Sequence, residues 1–148
     1  MIRMAKEDEL KVIVKMKLKM FKEAGVDDHL PSNAYDDILE SYQELYKQDK
    51  MRHFCFQDQG EIVACAGGFI KEDIPFSFFN PPYYGFIGDV YTVVKYRGNG
   101  YATRLTNQVI QWLKEKNVEV IRLLASKAGE GIYKKLGFKV SDEMVLEL

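Results

Sequence analysis

The sequence predicts a single mixed α/β domain, and three observations carry that reading. A chain of 148 residues is the size of one globular domain and long enough to bury most of the surface its unfolded form exposes. Apolar residues recur at three- and four-residue steps in the first third, then alternate with period two from Arg52 onward, so helices give way to strands. Further on, an apolar strand runs directly into a glycine-rich turn and an amphipathic helix.

Residues 1–4 read as a short strand. Glu7, Asp8 and Glu9 then suit a helix N-terminus, where the helix dipole favours negative charge. Val12, Met16, Met20 and Phe21 recur at helical spacing, and Gly25 ends the helix. Residues 27–33 form a loop containing Pro31, after which Ser32 or Asn33 caps a second helix with an apolar stripe of Tyr35, Ile38, Leu39, Tyr42, Leu45 and Tyr46. Phe54 and Phe56, then Ile62, Ala64 and Ala66, alternate as the strands of a hairpin that turns at Asp58, Gln59 and Gly60. Residues 71–85 gather Ile74, Pro75, Phe76, Phe78, Phe79, Pro81, Pro82, Tyr83 and Tyr84 into a loop whose aromatic surface needs cover from the domain, a second subunit or a ligand.

Residues 86–94 form the next strand, and Tyr101 opens a helix with Ala102, Leu105, Val109, Trp112 and Leu113 on one face. Asn117 ends it in a left-handed conformation. Residues 118–125 then read as a short strand, 129–136 as a short helix, and 138–148 as a last strand pair or an extended tail.

Lys and Arg total 21 against 22 Asp and Glu, so no overall field favours nucleic acid or an anionic membrane as partner. Apolar stretches such as 62–70 fall far short of the roughly 20 residues a bilayer span needs, and residues 1–18 are too rich in lysine for a signal peptide. A cytoplasmic protein is expected. Cys55 and Cys65 lack the spacing of a metal or redox pair and read as buried thiols in a reducing compartment. His29 and His53, far apart and without a ligand cluster, make no metal site.

The chemistry concentrates at residues 97–102, Arg-Gly-Asn-Gly-Tyr-Ala, between strand and helix. Glycines there let the backbone turn so that unpaired N–H groups at the helix N-terminus converge on one anion, and a pyrophosphate fits. A P-loop would need Gly-Lys-Ser/Thr. A dinucleotide fingerprint would need a third Gly or Ala where Thr103 stands. The glycines alone also suit an ordinary tight turn.

Arg97, Gly98, Asn99, Gly100, Tyr101 and Ala102, preceded by Tyr96, resemble the acetyl-CoA signature of the GNAT superfamily of N-acetyltransferases: Arg or Gln, two residues, Gly, one residue, Gly or Ala. A second segment, 123–138, resembles the family's fifth strand, following helix and Tyr-x-x-Leu-Gly-Phe ending, although Ser126 and Gly129 stand where many members have Asn and Ala. The resemblance implies a central, largely antiparallel twisted sheet with helices on both faces. It also implies acetyl-CoA as cosubstrate, held by Tyr91, Thr92 and Val93 on the fourth strand, by the turn from Arg97 through Ala102 with Thr103, and by Ser126.

Tyr133 matches the position where the family often places the acid for the departing thiolate; a phenol with a reference pKa near 10 keeps its proton at neutral pH. Attack by an ammonium also needs a base and a donor for the carbonyl oxygen. Asp89, on the strand leading into the site, is the candidate base, with ordered water as the alternative, and a backbone N–H near Thr92 or Val93 is the candidate donor. The expected acceptor is an amine on a small molecule or peptide. Asp27, Asp28, Asp36, Asp37, Glu40 and Glu44 make the first helical region acidic, which suits either a cationic acceptor or a solvated face. A homodimer is compatible with the aromatic loop, and the competing function is a non-catalytic acyl-CoA-binding module.

Overall fold

Five strands hydrogen-bond in their order along the chain: β1 (Ile2–Met4), β2 (Met51–Asp58), β3 (Glu61–Glu72), β4 (Tyr83–Thr92) and β5 (Ile121–Leu123). Helices α1 (Leu10–Glu23) and α2 (Ala34–Lys47) lie between β1 and β2, α3 (Tyr101–Glu115) between β4 and β5, and α4 (Glu130–Lys135) after β5. The computed structural model describes residues 1–74 and 82–148. Pro75, Phe76, Phe78, Phe79 and Pro81 of the expected aromatic loop lie outside the described residues. Three strand pairs are antiparallel, and only β4–β5 is parallel.

The β2–β3 hairpin forms because Gln59 and Gly60 take positive φ, 48° and 83°, the two-residue turn whose twist matches that of the strands. Its alternation divides the core between two faces. On one, Leu10, Ile13, Val14 and Met16 of α1 and Tyr42 and Tyr46 of α2 pack with Met51, Cys55, Cys65 and Tyr91. On the other, Leu105, Val109, Trp112 and Leu113 of α3 pack against Phe54, Ala64, Ala66 and Ile87. Gly68 lets α3 approach closely, since a Cβ there would lie 2.8 Å from Val109 Cγ1 and 3.0 Å from Trp112 Cε3. Helices thus cover both faces, as the sequence predicts.

Several elements depart from expectation. Val12 is exposed, and the buried face of α1 runs through Leu10, Ile13, Val14 and Met16. Asn33 is the N-cap of α2, but its side chain donates to Asp37 Oδ2 at 2.8 Å instead of accepting from the helix backbone. Asn117 does take the left-handed conformation after α3, at φ 60°. β4 begins earlier than expected, β5 holds only three residues, and residues 138–148 form no helix or strand. Cys55 and Cys65 face each other across the hairpin as free, buried thiols, and Cys65 donates to the Asp89 carbonyl at 3.2 Å. Among the described residues no helix is long and apolar enough to cross a membrane, and no His/Cys/Asp/Glu group could hold a metal ion.

Candidate active site

The sheet opens along β4. Its ladder with β5 ends at Ile87↔Leu123, although β4 continues to Thr92 and the chain after β5 turns away through the exposed Leu124. On the β3 side, Gly67 pairs with Gly88 and Cys65 with Tyr91, so Asp89 and Val90 together oppose Ala66. This is a bulge, and Asp89 in it has φ 55°, a left-handed conformation that Asp tolerates better than most residues. Val93 N–H donates to the Val63 carbonyl at 2.9 Å. Bonded and non-bonded pairs alternate along an antiparallel ladder, so Thr92, opposite Ala64, turns its N–H and C=O away from β3 toward the opened side. Of the two N–H groups considered for the carbonyl oxygen, Val93 is therefore engaged and Thr92 faces the gap.

The glycine turn lies just beyond. Gly98 and Gly100 have φ 80° and 75°, and a Cβ on either would meet nothing within 4 Å. The space above the turn is open, and its backbone conformation is one that L side chains disfavour. Asn99 holds the turn by donating its side-chain amide to the Tyr96 carbonyl at 2.9 Å. The N–H groups of Tyr101, Ala102 and Thr103 have no protein acceptor among the described residues, as the first turn of a helix requires. These features fit a pyrophosphate.

The Arg97 side chain donates to the Thr92 carbonyl at 2.8 Å and to Glu23 Oε2 at 2.7 Å. Tyr91 donates to the other oxygen of Glu23 at 2.9 Å. Glu23, at the end of α1, thereby clamps the turn to the end of β4. The Tyr101 ring stacks on Phe56 with centroids 4.1 Å apart, so its backbone, not its ring, faces the cradle.

Asp89 is buried and surrounded by donors. Lys17 Nζ reaches Oδ1 at 2.6 Å, and the Tyr42 hydroxyl and His53 Nε2 reach Oδ2 at 2.6 and 2.8 Å. The Tyr46 hydroxyl accepts the His53 backbone N–H at 3.0 Å and lies 2.9 Å from Nδ1. The Asp89 carboxylate only accepts, so His53 Nε2–H donates to it. Burial by itself pushes the Asp89 carboxyl up. The hydrogen bond and charge of His53, then the charge and hydrogen bond of Lys17, outweigh burial and hold it below the usual carboxylate range. A carboxylate so engaged is a weak acceptor for an ammonium proton. The arrangement suits it to holding the β4 bulge and orienting Lys17 and Tyr42, rather than to the base role proposed from sequence.

Lys17 and Tyr42 also line a cavity of about 330 Å³ beside Gly88, with Ile38, Phe69, Phe86 and Lys71 among its other walls. Lys17, Tyr42, His53, Phe69 and Phe86 were not singled out as site residues by sequence reasoning. One signal for part of the set was present: Asp89 sits in the otherwise uncharged run 83–94, and a buried carboxylate must have donors.

Beyond β5, the Ser126 hydroxyl accepts the Gly129 N–H at 3.2 Å and so closes the turn before α4. Tyr133 is half-buried with its ring edge-on to Phe138 at 6.0 Å. Its hydroxyl has no hydrogen-bond partner among the described residues, and burial raises its pKa. A Cβ at position 129 would lie 2.9 Å from Tyr133 Cε2. Gly129, the departure noted above, is therefore what gives that ring its place.

A strand that splays from its neighbour, a glycine turn that opens a helix and a cavity beside Gly88 are the parts of the site, and comparison with known proteins gives it a class. Residues 19–138 match the model of the acetyltransferase (GNAT) family, and the chain belongs to that family. It is similar to a predicted acetyltransferase with acetyl-CoA from Clostridium acetobutylicum, with 26% identity, 100% of this chain and 94% of that one covered, and a TM-score of 0.89. A GCN5-related N-acetyltransferase from Ralstonia eutropha shares the fold at 18% identity and a TM-score of 0.82, covering 100% and 97%. So does glucosamine-6-phosphate N-acetyltransferase from Arabidopsis thaliana, at 16% identity and a TM-score of 0.73, again covering 100% and 97%. No curated protein matches the sequence.

Proposed function

We propose that the chain transfers the acetyl group of acetyl-CoA to a primary amine by direct attack. The observation that carries the reading is the open turn at Gly98 and Gly100 together with the unpaired N–H groups of Tyr101, Ala102 and Thr103 that open α3. The N–H groups of Tyr101, Ala102 and Thr103 hold the pyrophosphate at the positive end of α3. Bound there, acetyl-CoA supplies a thioester whose carbonyl carbon takes the nitrogen and whose sulfur leaves.

Each remaining task falls to a named group. Thr92 N–H donates to the carbonyl oxygen as negative charge develops on it. Tyr133, with no competing partner and a raised pKa, keeps its proton until the sulfur departs. Lys17 and Tyr42, fixed by Asp89, shape the wall of the cavity in which the amine approaches, and the amine proton leaves through water. Measuring thiol release from acetyl-CoA against a panel of amines tests the reading; binding without release for every amine would favour the non-catalytic module.

The free, buried thiols of Cys55 and Cys65 support a cytoplasmic location. A homodimer belongs to the same proposal, now on a different surface from the aromatic loop. Val140, Met144, Val145, Leu146 and Leu148, which follow α4, are 79% exposed or more. A second copy, whose three-residue β5 offers an edge, is the occupant that would cover them.

A further inference from the structure

The cavity beside Gly88 runs along the β3–β4 ladder, and the ladder orders its walls. Gly88 marks the end next to the bulge, Phe69 pairs with Phe86 at the next rung on the same face, and Lys71 with Tyr84 at the rung beyond. Its charged groups differ in what they already hold. Lys17 is committed to Asp89 at 2.6 Å. Lys50, outside the cavity and just before β2, is committed to Glu72 at 2.7 Å. Lys71 makes no ion pair among the described residues; its Nζ lies 4.0 Å from the centre of the Phe86 ring. On the wall formed by α2, the Asp37 carboxylate accepts, among the described residues, only the side-chain amide of Asn33, at 2.8 Å. The lining is thus dipolar, with one carboxylate and one ammonium both lacking a counter-charge, over an aromatic floor of Tyr42, Phe69 and Phe86.

We propose that the acceptor is a small amine that also carries an anionic group, a carboxylate or a phosphate, with the anion bound by Lys71 and the nitrogen held at the Gly88 end. This rests on the acetyl-transfer reading above. Position 86 is two residues along β4 from Gly88, so at about 3.3 Å per residue the two groups of the acceptor lie about 7 Å apart. That spacing is wider than in a simple α-amino acid and fits a short chain or a single ring between amine and anion. The Phe86 ring holds the ammonium of Lys71 over the cavity, which reduces the ordering cost when an anion arrives. A cavity of about 330 Å³ is at the small end of ligand sites and matches a single small molecule.

The test compares primary amines of one length ending in carboxylate, phosphate, neutral amide or a second ammonium. Wild type should favour one of the anionic pair over the amide by about tenfold or more in kcat/KM, and the better of the two identifies the anion. Lys71→Met should raise KM for that acceptor about tenfold with kcat nearly kept. Lys71→Glu should reverse the order, placing the diamine above the anionic amines. Lys71 is exposed, and an unchanged thermal midpoint would exclude misfolding as the cause. Equal rates for anionic and neutral amines in wild type, or an order that Lys71→Glu leaves intact, would overturn the inference and leave acetyl transfer standing. Failure to bind acetyl-CoA in calorimetry, or to release thiol with any amine, would overturn both.

Discussion

Tyr133 separates packing from chemistry within one side chain. Its ring meets Phe138 and sits over Gly129, whereas its hydroxyl has no protein partner among the described residues. Tyr133→Phe should therefore leave the thermal midpoint and acetyl-CoA affinity nearly unchanged and lower single-turnover transfer by about a hundredfold, the usual contribution of a general acid. Full activity with intact stability would return Tyr133 to packing. Asp89 makes the opposite case, because its carboxylate is almost wholly occupied in holding structure. Asp89→Asn removes one partner of a buried charged cluster and should cost about 3 kcal/mol, a fall in midpoint of about 6–12 °C for a chain of this length. Turnover should fall at every pH; recovery in alkaline solution, where the amine arrives deprotonated, would instead mark Asp89 as the base. The folded pKa is depressed, so the stability Asp89 contributes is present above the ordinary value near 3.9 and is lost as pH falls below it. The gap in stability between wild type and variant should narrow in strong acid.

At the scale of elements, the turn before α3 and the turn before α4 each depend on glycine, for different reasons. Gly100 is left-handed, with open space beside it that the pyrophosphate would fill. Gly100→Val should weaken acetyl-CoA binding in calorimetry by tenfold or more, since a branched side chain both strains the turn and occupies the cradle; equal affinity would refute the phosphate reading. Gly129 has φ −88°, so Gly129→Ala leaves the backbone at ease and displaces chiefly the Tyr133 ring, with the Ser126 hydroxyl also crowded at 3.3 Å. It should lower turnover while acetyl-CoA still binds. These turns were legible in the sequence because their glycines sit at the junction of a strand pattern and a helix pattern, and the hairpin at Gln59 and Gly60 because Asp58, Gln59 and Gly60 separate two alternating runs. β5 was not read to its true length. Its short ladder with β4 ends where the chain leaves the sheet, and an apolar run does not reveal where pairing stops.

Across the whole molecule, the residues expected to hold the cofactor fall in two short segments that a sequence displays directly, and the residues that meet around Asp89 do not. Lys17, Tyr42, His53 and Asp89 come from α1, α2, β2 and β4 and meet only after folding. Each alone looks like a solvated lysine, a core tyrosine, a stray histidine or a surface carboxylate. The tail is the other long-range feature, with apolar side chains exposed. Deleting residues 139–148 should convert a dimer to a monomer in sedimentation, whereas a full-length chain that is monomeric at high concentration would rule out the proposed contact. Most direct for the account as a whole is a single-turnover reaction of the intact protein with acetyl-CoA and a panel of primary amines, following free thiol and acetylated amine together. The expected result is release of thiol that depends on an amine and is matched one for one by its acetylated product; tight acetyl-CoA binding with no amine-dependent release would contradict it.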